Sequence, residues 1–177
     1  MDAMVGGHMV DYEEAAGHWQ AREKDAVRMP EAELRNAMEK FVASHRVCAL
    51  ACASSDGSLV RNTPIEYEWF DGAFWMFSEG GLKFRALESN KNVCLAIFDP
   101  DPTFGHLAGM QVTGRAEVLE PFGPDYLAAC GHKGIPAERL RALPFTMMVV
   151  RVRPTRVDML CSAFKDGGYD VRQWLEP

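Results

Sequence analysis

Long apolar runs, paired cysteine motifs and a surplus of basic charge are all missing from this 177-residue chain. A helix that crosses a bilayer needs ~20 consecutive apolar residues, and no segment provides them, so no membrane partner is expected. Acidic residues outnumber basic ones 25 to 19, for a formal net charge of −6. Binding along a phosphate backbone requires a net basic face, so nucleic acid is not expected as a partner, although a local basic pocket for a small anion is compatible with this balance. None of the five cysteines stands in a CxxC pair, which argues against a structural zinc site. Neither GxGxxG nor GxxxxGK[ST] occurs, so dinucleotide and P-loop readings lack their motifs. Residues 1–10 have no basic stretch followed by an apolar core, and read as a flexible leader rich in Gly and Met. The remaining residues, 11–177, are of a length expected for one domain.

What is present is a dense alternation of helical and strand patterns. Residues 11–27 place Tyr12, Ala15, Ala16, Trp19 and Ala26 near one helical face. A second helix begins at Pro30, with Glu31 and Glu33 in its positive first turn and an apolar stripe of Leu34, Ala37, Met38, Phe41 and Val42. Residues 47–53 form a strand that is apolar on both faces and so expected to be covered on both. Within it Cys48 and Cys52 lie on one face, roughly 13 Å apart at ~3.3 Å per residue, too far for a disulfide. Reduced, mostly buried thiols in a cytoplasmic protein are the expected state.

A turn at 54–58 leads into a long strand over 59–70. Asp71-Gly72 between aromatic residues then marks a tight hairpin, with the return strand over 73–78. A short helix (82–90) and a strand (93–98) follow, then a half-buried strand (110–118) in which Gln111 and Thr113 alternate with apolar residues. A helical stretch (125–143) is interrupted near 131–136. Two final strands, 147–152 and 156–161, are separated by Pro154. Helices inserted between antiparallel runs favour an α+β barrel over a doubly wound sheet.

The chemistry concentrates between Arg61 and Gln111. Arg61 and Lys83 can supply cations, and Ser78 a hydroxyl. Gly80 and Gly81 precede a helix, whose N-terminal amides attract anions, and glycine lets backbone approach a ligand closely. Gln111 can both donate and accept. Each has a bland alternative: Lys83 as a solvated helix lysine, Gln111 as a surface strand residue, Ser78 and the glycines as a turn cap, and Arg61 paired with Glu66 or Glu117. Taken alone these residues define an α+β domain with a candidate anion pocket. Trp69, Trp75, Phe77 and Tyr67 are either core or the lining of a ring slot. His106 and His132 fall in loops.

The strand Arg61-Asn62-Thr63-Pro64-Ile65, the strand end Phe77-Ser78, Lys83 ahead of Asn90-x-Asn92-Val93, and Gln111 before Val112-Thr113-Gly114 carry a resemblance to a known family. From about Phe41 to Leu160 the chain resembles the pyridoxamine 5′-phosphate oxidase-like FMN-binding split barrels, most closely their short bacterial members. The resemblance implies an antiparallel split β-barrel of about six strands with flanking helices. It implies FMN as cofactor, with Arg61, Asn62, Thr63, Pro64, Phe77, Ser78 and Lys83 at the phosphate, Gln111 beside the flavin, and Trp174 as a further contact. It also implies a homodimer with FMN at the interface. A flavin carries the electron chemistry itself, so no catalytic side chain is named. No Arg-x-His pattern stands near Trp174, so turnover of pyridoxamine 5′-phosphate is not expected. The expected function is an FMN-dependent oxidoreductase acting on an unidentified small molecule. The alternatives are true pyridoxamine 5′-phosphate oxidation, or a non-catalytic flavin- or haem-binding protein, with His45, His106 or His132 as axial ligand.

Overall fold

The computed structural model of the protein describes residues 11–101, 103 and 105–177. The expected leader and the side chain of Trp19 lie outside that description. One antiparallel sheet organises the chain, built from β1 (Val47–Ala53), β2 (Val60–Glu66), β3 (Glu68–Phe70), β4 (Ala73–Ser78), β5 (Asn92–Phe98), β6 (Ala108–Val118), β7 (Met148–Cys161) and β8 (Arg172–Leu175). Its order is β2-β1-β5-β6-β7-β4-β3, with β8 attached to β7. This is an α+β split barrel with flanking helices.

The sheet curls because β7 changes partners along its length. One edge of β7 pairs with β6 throughout, while the other pairs with β4 before Pro154 and with β8 after it. The β6–β7 register slips at Thr113/Gly114, opposite Pro154. A register slip of this kind bends a strand and raises its twist, and it accommodates a proline that has no N–H to donate. The two strands expected on either side of Pro154 are therefore one bent strand. Conversely, the single strand expected over 59–70 is two, broken at Tyr67, whose N–H donates to the Arg46 carbonyl at 2.9 Å. β8 has no counterpart in the sequence reading, and the described strands number eight rather than about six.

The Asp71-Gly72 hairpin forms as its residues dictate, with φ of 52° and 64° at the two turn positions, as a two-residue turn matched to strand twist requires. Helix α1 (Tyr12–Lys24) starts at Asp11, whose carboxylate accepts from the Glu14 N–H at 2.9 Å. Its expected apolar face is not buried, since Tyr12, Ala15 and Ala16 are exposed. A salt bridge from Glu23 to Arg156 at 2.8 Å ties it to β7. Helix α2 (Glu31–Ser44) buries Leu34, Met38, Phe41 and Val42, and Pro30 caps it instead of occupying its first position. Helices α3 (Lys83–Ser89), α4 (Pro124–Lys133) and α5 (Ala137–Arg141) complete the chain, with a 3-10 turn over Ser162–Gly167 before β8.

Two apolar layers result. The inner one packs Leu50, Phe74, Met76, Leu95 and Val112 under α2. The second packs Trp75 and Val149 against Tyr126, Ala129, Cys130 and Leu140 of α4 and α5. Strand β4 is thus covered on both faces. Strand β1 was expected to be, but its outer row, Ala49, Ala51 and Ala53, is only half-buried. Cys48, Cys52 and Cys130 are buried free thiols, and Cys94 and Cys161 are half-buried ones. Among the described residues no helix is long and apolar enough to cross a membrane, and none of their His, Cys, Asp and Glu side chains group as a metal site.

The segment before α2 is tied to the region of β8 by several bonds: the Asp170 carboxylate accepts from the Val27 N–H at 2.8 Å, and the Arg28 guanidinium donates to the Trp174 carbonyl at 2.6 Å. Gln173 of β8 is fully buried. Its amide oxygen accepts from the Met29 N–H at 3.0 Å, and its nitrogen donates to the carbonyls of Val27 at 3.0 Å and Asp170 at 2.8 Å.

The β6–β7 crossing leaves no room for a side chain at Gly114. A Cβ there would sit 2.6 Å from the Arg153 carbonyl oxygen and 2.9 Å from Val152 Cγ1. Gly114→Ala is expected to lower unfolding free energy by about 2 kcal/mol, measured by urea denaturation; an unchanged midpoint would show that the strands can part there.

Candidate anion-binding site

Strand β4 ends at Ser78, and the chain turns through Gly80 and Gly81 before α3. These glycines hold φ of 141° and 110°, values that side-chain-bearing residues rarely adopt. The turn closes on itself: the Ser78 hydroxyl accepts from the Gly80 N–H at 3.3 Å and donates to the Gly80 carbonyl at 3.2 Å. The Lys83 ammonium donates to that same carbonyl. Ser78 and Lys83 are both buried. Helix α3 has seven residues, under two turns, so its aligned dipoles add little and the site's positive charge comes from side chains.

Lys83 does not behave as a solvated helix lysine. It is 6% exposed and has no carboxylate partner among the described residues. Burial lowers its pKa, an effect opposed by the nearby Cys52. A buried ammonium satisfied only by a carbonyl is costly, and fits a site that receives an anion.

Arg61 brings the second charge. It lies opposite Cys52 in the β1–β2 register, so the two side chains share the inner face. Both Lys83 and Arg61 act electrostatically on the Cys52 thiol, which gathers the three around one spot. Burial nonetheless raises the Cys52 pKa, so the thiol stays neutral and does not compete for the cations. Both acids considered as Arg61 partners are engaged elsewhere. Glu66 pairs with Lys133 at 2.9 Å, and Glu117 with Arg151 at 2.7 Å. Arg61 is exposed on an edge strand, free of any carboxylate among the described residues.

The remaining site residues divide between the two sheet faces. Thr63 follows Arg61 on the inner side, opposite Leu50. Asn62 and Pro64 point to the outer side, as the period of two demands. The registers align Pro64, Ala49, Ala96, Gln111, Asp158 and Trp174 as one transverse row across that outer face. Gln111 therefore lies about 14 Å from Pro64 and about 10 Å from Trp174, at ~4.8 Å per strand. Because β2 is the sheet's edge, a ligand reaching round it can touch both faces. Phe77 faces neither group; it packs against the second core, edge-on to Tyr126 at 6.4 Å, and can offer only backbone to the Ser78–Lys83 turn.

Trp174 carries an arrangement that the sequence did not announce. The Arg28 guanidinium lies 3.6 Å over its ring and that of Arg156 lies 5.7 Å away. Arg156 is itself bound to Asp158 and Glu23, and these bonds raise its pKa. Tyr67 and Trp75 are core residues, 3% and 2% exposed, and Trp69 packs against Phe74. His132 closes α4 rather than lying in a loop, and stacks on Phe70 at 4.0 Å. His106 is exposed in a loop, bridged to Thr103. Both ring nitrogens of His45 have contacts, Nδ1 with the Phe41 carbonyl at 2.8 Å and Nε2 with Asp99 at 3.5 Å.

With this architecture, the sequence profile of the pyridoxamine 5′-phosphate oxidase family matches residues 34–161. The chain belongs to that family. No curated protein matches the sequence. Solved structures share the fold. A FAD-binding protein from Mesorhizobium loti is 20% identical at a TM-score of 0.55, over 70% of this chain and 89% of that one. The haem storage protein HutZ from Vibrio cholerae is 14% identical at 0.57, over 67% and 88%. ChuZ from Campylobacter jejuni is 12% identical at 0.63, over 95% and 70%.

The lowered pKa of Lys83 has a sign that can be tested. The unfolded chain holds this proton more firmly, so ligand-free stability should rise as pH climbs from the folded value towards the ordinary 10.5. Lys83→Met should remove that rise and stabilise the ligand-free protein at neutral pH by about 1 kcal/mol. Thermal unfolding between pH 7 and 10 measures both, and a destabilised variant would mean that the charge is already compensated.

Proposed function

We propose that the protein binds FMN through the Arg61–Ser78–Lys83 cradle and serves as an FMN-dependent oxidoreductase for a small molecule. The observation that carries this reading is the buried Lys83 ammonium, without a carboxylate partner among the described residues, set beside the exposed Arg61 and a turn of two glycines. A phosphate dianion satisfies such a site. Lys83 and Arg61 would hold its charge, Ser78 would offer its hydroxyl, and Gly80 and Gly81 would let the oxygens approach the backbone. Thr63 lies beside Arg61 on the inner face, while Asn62, Pro64 and Gln111 could meet a ring on the outer face. Flavin, once bound, supplies the hydride and electron transfer, and the protein orients it.

The reading includes a homodimer. The outer face of β2-β1-β5 combines small half-buried residues with Val47, Val60 and Phe98, which are 56%, 68% and 60% exposed. A contiguous apolar face of this kind is a recurrent mark of an interface. A second copy laid there would cover the outer row of β1 and enclose the Asn62–Pro64–Gln111 side of the site.

Haem is the competing ligand, in view of the shared fold with HutZ. Of its candidate axial ligands, His45 is already engaged at both nitrogens. His106 and His132 are exposed and so more available. The phosphate cradle has no role in that reading.

FMN added to ligand-free protein should lose fluorescence with saturation. Arg61→Ala with Lys83→Ala should weaken binding about 100-fold, since two charge-assisted contacts contribute about 1.5 kcal/mol each. Unaltered affinity would put the phosphate elsewhere. Equal affinity for FAD would break the preference for the mononucleotide, and a Soret shift with haem but no flavin uptake would favour the competitor. Light scattering should give a dimer mass, and a monomer that retains FMN would overturn the interface.

A further inference from the structure

A second cavity lies away from the cradle, beneath α2 at the mouth of the barrel. It measures about 150 Å³, and none of its lining residues belongs to the cradle. Its floor is apolar, formed by the buried side chains of Met38, Phe74, Met110 and Leu175, with Trp69 and Val157 as half-buried walls. The cavity opens towards solvent past the exposed Arg35 and Glu39 of α2.

Cores normally pack to crystal density, with few voids larger than a water. Here Met38 and Met110, the most adaptable of core side chains, leave the space open. Water gains nothing in it, because a water needs two or more polar partners and the floor has none. Water entering from the rim finds no polar partner on the floor, so an apolar guest that displaces it gains dispersion contacts with the walls. A cavity of this volume admits a single benzene-sized ring, and the Trp69 and Phe74 rings, tilted 52° at 4.6 Å, offer edge and face to it. The apolar floor selects against charge, which would lose its hydration there without gaining a partner. Arg35 and Glu39 have opposite signs, and Arg35 already pairs with Glu31 at 2.9 Å.

We propose that this cavity is a binding site for a neutral, compact ring, aromatic or alicyclic, carried by a small molecule distinct from the cradle's anion. The site stands whether or not the cradle holds FMN. It gives the fold two separate ligand chemistries, an anion at the edge of the sheet and an apolar ring at the barrel mouth.

Methyl NMR of the full chain, labelled at methionine, tests it with toluene as probe and benzoate and benzylamine as charged comparators. Toluene should shift the Met38 and Met110 methyls saturably and leave remote methionines in place. The charged rings should bind at least tenfold more weakly. Val157→Phe, which fills the cavity from β7, should weaken toluene binding at least tenfold while FMN titrates as in the parent. If that variant does not fold, xenon added to the parent protein replaces it, and the same two methyls should respond. The proposal is overturned by silence of both methyls up to the solubility of toluene, by charged rings that bind as well as toluene, or by toluene binding that Val157→Phe leaves unchanged. Silence of both methyls towards xenon would overturn it too.

Discussion

The close crossing of β6 and β7 at Gly114 sets the geometry of everything built on the sheet. Backbone meets backbone there with no space for a Cβ, and the register slips by one residue at the same place. The slip lets β7 bend at Pro154 and exchange β4 for β8 along one edge. Through β4 this bend places Ser78 and the glycine turn, and through β8 it places Trp174 in the row that contains Gln111. The mouth of the barrel is framed by the same bend, since Pro154 and Val157 line the apolar cavity. The glycine turn after β4, the outer row and the cavity are thus all positioned by strands that meet at this bend.

Charge is allocated as deliberately as geometry. The acidic residues outnumber the basic ones, yet they are spent on particular arginines and lysines. Lys133 takes Glu66 and Glu68, Arg151 takes Glu117 and Asp125, and Arg156 takes Asp158 and Glu23. Arg61 and Lys83 lie outside all these pairs. Two cations are therefore left without a carboxylate partner among the described residues, in a protein whose overall charge is negative. The neutral Cys52 thiol beneath them preserves that imbalance.

Much of this was readable beforehand, and the exceptions share a cause. The Asp71-Gly72 hairpin, the alternation of β6 and the apolar stripe of α2 each depend on local pattern, and all three formed where the residues indicated. Tyr67 and Pro154 misled because a break or a bend in a strand depends on the neighbouring strand, which lies far away in sequence. The residues of β8 carry no strong period of their own, so pairing with β7 decides their conformation. For α1 the spacing was helical and the helix is present, but spacing alone cannot say whether a partner surface exists to bury its face. Lys83 was the sharpest ambiguity. Its type points to solvent, and only the path of the chain through two left-handed glycines carries it inward. Phe77 shows the reverse limit, since the period of two turns it away from its neighbour Ser78 and against the second core.

The Gln173 clasp has a consequence for how the molecule assembles. Its bonds to Val27 and Met29 join residues 146 and 144 positions apart, among the most distant contacts in the chain. Loop closure over such a span costs entropy before the contact returns anything, so these bonds are expected late in folding. During synthesis the segment preceding α2 emerges well before β8 and must wait for it. Until then Met29 has no amide to receive its N–H, and the inner core lacks Leu175. The barrel can form its earlier strands in order, but its inner core is complete only once β8 has packed Leu175 against it.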